Sequence, residues 1–569
     1  MSGIAAVANL AYLAAAAPAR ARLERAMRDP GRVQREKLAR LLRANAGSAF
    51  GRAHQFARIA TMADYQARVP IRDYDAFAAD VERVAAGERG VLTAEAVAFV
   101  EPSGGSSGAS KLVPYTASLL AEFSAATMPW IFDLLRHRPA LRTGRAYWAI
   151  TPPAPRPPTP PGGVPVGLEH DSDYFPAFAR ALLEQALGVP RIVSRTPDVG
   201  TCRYVTLLAL LALPDLALVS VWSPSFLTRL ADVLDEHFAA LVDDLERGGV
   251  RLPLPAALSA ALAHALPARP RRAAWLRRRF GRRAPEDLGV LWDRLALVSC
   301  WTDGHASRAL HGMRGRFPRV EVQGKGLLAT EGVVSIPLFA APAPVAAVTA
   351  HVLEFLPEGQ AADGAAPART VEELDAGATY EVLLTTAGGL YRYRLHDLVR
   401  VEGHLHRAPL LRFVGRADRA SDLAGEKLTP AFAERALAAA ARSSGVRPAF
   451  AMLAPHDGER PHYRLYVDAP PADAARLAER AEAALAASYH YALCRSLGQL
   501  GPVAAVAVRD AERVYERACL TRGQRGGAIK PVSLDARLDW AQVFAGAGHD
   551  ASGAPPAALG QGRPPVAIP

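Results

Sequence analysis

Five short segments hold residue types whose spacing could do chemistry. The run Ser103-Gly104-Gly105-Ser106-Ser107-Gly108-Ala109-Ser110-Lys111 joins three glycines, which let backbone amides approach an anion, to four serine hydroxyls and a closing ammonium. That is the composition of a phosphate cradle, and also that of a flexible surface loop. It is not a Walker A loop, because no Gly-Lys-Ser/Thr ends it and an extended segment follows where a helix should begin. Farther on, Gly326-Leu327-Leu328-Ala329-Thr330-Glu331-Gly332 sets one hydroxyl and one carboxylate just past an apolar run. A carboxylate facing a triphosphate suits Mg2+; a capping turn is the ordinary alternative.

In Tyr391-Arg392-Tyr393-Arg394-Leu395-His396-Asp397, strand alternation puts Tyr391, Tyr393 and Leu395 on one face and the two arginines on the other. Asp397 then falls at the strand end, where a carboxylate can accept both hydroxyls of a ribose. A hairpin carrying a surface aspartate would read the same. Gly415-Arg416-Ala417-Asp418 has the small-residue composition of a hinge between two domains. Lys530, in Gly526-Gly527-Ala528-Ile529-Lys530-Pro531, sits on a glycine-flexed loop that suits a mobile cation, although a late lysine is by default a solvent lysine.

The elements that must position these residues alternate. The first hundred residues have helical periodicity, with a strand from Glu95 to Val100 entering the serine-glycine loop and an extended piece from Leu112 to Tyr115 leaving it. A helix over Leu119 to Leu135 follows, then strands over Tyr147 to Thr151, Leu216 to Trp222 and Leu295 to Trp301, separated by helices over Cys202 to Leu213 and Ser225 to Leu245. Such alternation predicts an α/β sheet domain. From Val352 to Gly415 the strands come closely spaced, predicting a β-rich subdomain; after Arg416 a small α+β domain begins. The expected division is 1–415, 416–545 and a Gly/Pro/Ala-rich, disordered tail at 546–569.

At 569 residues the chain has ample length for a large core, and 50% hydrophobic with 22% charged residues excludes a wholly disordered chain. The formal charge of +11 includes the dense run Arg271-Arg272-Ala273-Ala274-Trp275-Leu276-Arg277-Arg278-Arg279-Phe280. A solvated helix face with Trp275, Leu276 and Phe280 turned inward is favoured there over a nucleic-acid patch. Cys202, Cys300, Cys494 and Cys519 have no metal spacing and read as reduced, buried thiols of a cytoplasmic protein. The apolar N-terminus reads as a helix, not a signal peptide, and no segment reads as a membrane span.

The order of the five segments resembles the adenylate-forming enzymes. The block from Thr385-Thr386-Ala387-Gly388-Gly389-Leu390 through Tyr391 to Val401, with Phe413-Val414-Gly415-Arg416, narrows the resemblance to the auxin-responsive-promoter (Gretchen-Hagen-type) acyl acid–amido synthetases. Supporting runs are Gly162 to Gly167, Val221-Trp222-Ser223-Pro224-Ser225-Phe226, Ala49-Phe50-Gly51 and Val69-Pro70-Ile71.

This resemblance implies a large N-terminal adenylation domain and a smaller C-terminal lid. ATP phosphates would lie on Ser103 to Lys111, with Thr330 and Glu331 meeting phosphate and Mg2+. Asp397 would hold the ribose, Arg416 would stand at the hinge beside the nucleotide, and Lys530 would assist adenylation. The implied partners are a small carboxylic acid and an amine, an amino acid by resemblance; the oligomeric state is not legible. Three departures stand out. Gly105 replaces a usual Thr, Leu327 and Leu328 stand where an aromatic would stack on adenine, and His396 replaces a common Gly. His170 and His396 are the open choices for a base. An acyl-CoA ligase, or a non-catalytic nucleotide- or nucleic-acid-binding protein of the same fold, remain the alternative readings.

Overall fold

Leu216–Ser220 is apolar at nearly every position because it is an inner strand of a parallel sheet covered on both faces. The computed structural model describes residues 2–103, 111–149, 162–167, 174–175, 177–304, 306–358, 368–417, 421, 423, 426, 428–457, 461–496, 500–524 and 529–547. The parallel sheet runs Arg145–Trp148, Leu216–Ser220, Leu297–Cys300, Glu321–Gly324, in chain order and with every pairing parallel. Helices Val199–Leu211, Pro224–Arg247 and Ala306–Arg316 intervene between these strands, as the α/β alternation predicted.

The β-rich region is a seven-stranded sheet ordered Arg369–Thr370, Val352–Pro357, Thr379–Thr385, Tyr393–Leu405, Ala408–Arg416, Val345–Ala346, Ser335–Ile336. Here one expectation fails. Asp397 is not at a strand end: it lies inside Tyr393–Leu405, opposite Arg416 on the next strand. Nor do the arginines share an outer face. Arg392 is buried, with a φ of 47°, and His396 has a φ of 62°. Left-handed backbone at these two positions breaks the pleat, so period-two alternation does not hold through them. The same φ explains why glycine would suit position 396.

Buried Arg392 is held tightly. Its Nε lies 3.1 and 3.2 Å from the two oxygens of Glu354, and Nη1 donates to the carbonyls of Gln66 (2.9 Å) and Val69 (2.8 Å). Replacing Glu354 with alanine would leave this guanidinium buried beside carbonyls alone. The expected cost is about 3–5 kcal/mol, read from the urea midpoint; a loss under about 1 kcal/mol would show that water reaches the arginine.

The N-terminal region is helical, as read. Asp29 caps the helix Pro30–Asn45 by accepting from the Arg32 amide, and Pro30 sits at the first turn where its missing N–H costs nothing. The helix Ser2–Arg28 buries Ala5, Ala8, Tyr12, Ala16, Leu23, Ala26 and Met27, and exposes Ile4, Val7 and Leu10. Its span Gly3–Arg28 is long and apolar enough to cross a membrane by length and composition, which the sequence reading did not register. Tyr204 to Trp222 divides into helix and buried strand as expected.

The chain forms two compact units. One comprises 1–420, 429–434 and 519–532; the other 421–428, 435–518 and 533–569. The second is built on a three-stranded sheet, Ala451–His456, His462–Val467 and Ala504–Ala507, with Phe450, Tyr515, Trp540 and Phe544 forming an aromatic core. Beyond the helix end at Ala547, the expected tail lies outside the described residues. The arginine-rich run is the helix Pro270–Phe280; Leu276 is fully buried and Arg277 pairs with Asp243 and Glu246, both at 2.7 Å. All four cysteines are buried and none is in a disulfide.

Candidate active site

In a parallel sheet, ligands collect beyond the carboxyl ends of the strands. Here those ends are Trp148, Ser220, Cys300-Trp301 and Gly324-Lys325. A cavity of about 1610 Å3 opens at them, walled by Tyr115, Phe123, Trp130, Trp148, Trp222 and Trp301 and reaching Thr330. A single small-molecule pocket occupies about 300–1,000 Å3, so this cavity has room for two ligands side by side.

The Thr330 end is a tight hairpin, Leu328–Ala329 against Gly332–Val333, with Thr330 and Glu331 as its turn. The Tyr115 hydroxyl donates to the Thr330 carbonyl at 2.5 Å and the Tyr393 hydroxyl lies 3.4 Å from Glu331 Oε1. Gly326, with a φ of 73°, starts the segment; its Cα faces the Ser335 carbonyl so closely that any Cβ would collide with backbone. Burial raises the carboxyl of Glu331 above its usual range, while Arg416 and Lys111 act to lower it and Asp397 to raise it further. Four residues nominated from widely separated segments therefore share one electrostatic neighbourhood. Asp397 accepts from Arg416 Nη1 at 2.9 Å, in register across neighbouring strands. Lys111 Nζ stands 5.4 Å from the ring of Tyr74.

Ser103 ends the strand Val97–Ser103, paired with Lys111 at the start of Lys111–Thr116. Between them, Gly104, Gly105, Ser106, Ser107 and Gly108 lie outside the described residues, as do His170 and Asp418. Gly415 has a φ of 154°, and a Cβ there would stand 2.8 Å from that of Ala431. Close packing alone thus demands glycine at this position. His396 Nδ1 lies 3.0 Å from Glu381, which also receives two 2.7 Å bonds from Arg394.

Lys530 belongs to the segment 519–532, which groups with the larger unit. Its Nζ sits 3.5 Å from the ring centre of Trp301, which lies 5.3 Å from the ring of Trp222. Lys325 Nζ is 5.1 Å from Trp222 and 5.2 Å from Trp130. Two lysines and three indoles therefore form a continuous series of contacts, in which Trp130, Lys325, Trp222 and Trp301 line the cavity and Lys530 packs on Trp301. Of its members, only Lys530 was singled out for chemistry from sequence. Lys325 stands one residue before the segment quoted for Thr330 and Glu331, and the run Gly324-Lys325-Gly326 was its available signal. The aromatic missing at Leu327 and Leu328 has no replacement in that run; the rings of this wall come from residues 115 to 301.

Residues 19–321 match the GH3 family N-terminal domain and residues 345–416 the GH3 family central domain. The chain belongs to the GH3 family. Among curated GH3 relatives, the probable indole-3-acetic acid-amido synthetase GH3.12 of Oryza sativa subsp. japonica is 28% identical over 432 residues, spanning 69% of this chain and 70% of its own. Indole-3-acetic acid-amido synthetase GH3.4 of Arabidopsis thaliana is 23% identical over 451 residues, covering 74% and 72%. A solved structure, AtGH3.15 acyl acid amido synthetase in complex with 2,4-DB, has the same fold: TM-score 0.81, 18% identity, 93% of this chain and 95% of that one. The family and the fold expected from the Thr385 to Arg416 block are borne out. This GH3 chain is an enzyme of the amido synthetase ligases.

Proposed function

We propose that the chain activates a carboxylic acid with ATP as its acyl-adenylate and transfers the acyl group to an amine, an amino acid by likeness to its relatives. The observation that carries this reading is the cluster of Lys111, Glu331, Asp397 and Arg416 beside a cavity of two-ligand size. In the first step a carboxylate oxygen attacks the α-phosphorus in line. The bond from phosphorus to the bridging oxygen breaks and pyrophosphate leaves with the electron pair. The chain contributes position and charge, with Ser103, Gly104, Gly105, Ser106, Ser107, Gly108 and Lys111 around the phosphates, Thr330 beside them and Lys530 as a further cation. Asp397, oriented by Arg416, takes the ribose hydroxyls. In the second step the amine attacks the acyl carbon and AMP departs.

Mg2+ fits the donor set. No group of three or more His, Cys, Asp or Glu side chains suited to a metal occurs among the described residues. A single buried carboxylate matches an ion that binds through one or two carboxylates plus substrate phosphates and keeps several waters. Glu331 would hold the ion, which would neutralise charge on the departing pyrophosphate. The division into 1–415 and a lid at 416–545, turning about Gly415, Arg416 and Asp418, belongs to the same proposal, and would exclude water from the reactive anhydride.

Pyrophosphate release with ATP, Mg2+ and a panel of carboxylic acids tests the reading. Release that depends on the acid and accelerates with amino acids, but not with coenzyme A, is the expected result. Silence across the panel, with no thermal shift on adding ATP, would overturn it.

A further inference from the structure

Lys325 follows the last residue of the strand Glu321–Gly324 and lines the cavity at the carboxyl end of the parallel sheet. It is only 4% exposed. Its Nζ donates to Ser220 Oγ at 2.7 Å, at the corresponding end of the strand Leu216–Ser220, and the rings of Trp130 and Trp222 flank it. The corner is buried: Cys300 beside it is fully covered, and that burial pushes its thiol up to about 12 even though the charge of Lys325 acts to lower it. Five residues further along the chain is Thr330, at the triphosphate end of the same cavity.

We propose that Lys325, with Ser220, holds the carboxylate of the acyl acid, an aromatic acid whose ring packs against the flanking indoles. This rests on the amido synthetase reading, and adds to it the group that recognises the acid. Adenylation must bring two anions together, a carboxylate and a triphosphate. A buried ammonium offsets their repulsion, and at a position as covered as that of Lys325 its attraction for the carboxylate is stronger than at a surface. An ammonium has three donors; one reaches Ser220, and the hydroxyl so oriented gives the carboxylate a second polar contact. The indoles add a sequence of π-faces on which a flat ring stacks. A neutral carboxamide of the same shape would keep the stacking and lose the charge.

The test compares aryl carboxylic acids with their primary carboxamides, using the full-length protein. Affinities come from calorimetry, and turnover from ATP–pyrophosphate exchange. The wild type is expected to bind the acid about 30- to 100-fold tighter than the amide, as a charge-assisted contact requires. In Lys325→Met the preference should fall to about threefold, with the KM for ATP unchanged within about twofold. Ser220→Ala, which keeps the lysine and serves if the methionine variant does not fold, should lower the preference about three- to tenfold. A preference kept intact in Lys325→Met, or in Ser220→Ala where that variant stands alone, would overturn the inference, as would KM values for acid and ATP that rise together. Wild-type exchange with no acid at all would instead overturn the amido synthetase reading, and this inference with it.

Discussion

Lys530→Ala should lower ATP–pyrophosphate exchange about 10²- to 10³-fold, the scale of removing one preorganised donor from a developing charge. The protein should remain folded, because Lys530 sits on the face of Trp301 and a cation–π contact at a partly open site contributes only about 0.5–1 kcal/mol. The informative readout is the contrast between half-reactions. Adenylation spreads negative charge over three phosphates as the bridging bond breaks, whereas amide formation from a supplied acyl-adenylate releases AMP alone. A lysine that serves the first step should leave the second within about tenfold of wild type. Equal losses in both would mean that Lys530 acts by holding the Trp301 wall, not by meeting phosphate.

Asp397→Ala should raise the KM for ATP about 100-fold or more, because the buried carboxylate proposed to receive both ribose hydroxyls would take two charge-assisted bonds with it. Its partner makes the effect larger than a simple deletion. Arg416 donates to Asp397 at 2.9 Å, and without the carboxylate that guanidinium loses the acceptor that fixes its position on the neighbouring strand. The measurement is ATP affinity beside the affinity for a ribose-modified analogue lacking its 2′- and 3′-hydroxyls. Wild type should discriminate strongly between the two and Asp397→Ala hardly at all. Retained discrimination in the variant would remove Asp397 from the ribose site.

The layered part of the fold was legible because buried parallel strands leave continuous apolar runs, and Leu216–Ser220 and Leu297–Cys300 both do. The segment around Asp397 was legible in composition and misread in geometry. Alternation presumes an unbroken pleat, and neither arginine nor histidine announces the positive φ that Arg392 and His396 adopt. The conjunction of Lys111, Glu331, Asp397 and Arg416 followed only from likeness of the whole series, since no local pattern ties positions so far apart. The stack of Trp130, Trp222, Trp301, Lys325 and Lys530 was illegible for the same reason. It is assembled by strand ends, the helix Ala117–His137 and one late loop, whose proximity is a property of the tertiary fold.

That stack has an optical consequence. Two indoles whose ring centres lie 5.3 Å apart, tilted by 38°, couple their excited states, and an ammonium 3.5 Å above one of them perturbs it selectively. The far-ultraviolet circular dichroism of the protein, where the intense indole transition lies, should therefore carry a split signal from Trp222 and Trp301. Withdrawal of Lys530, or arrival of a flat ring between the indoles and Lys325, would change its shape. The chain carries a built-in chromophore pair through which occupancy of this wall can be followed without any label.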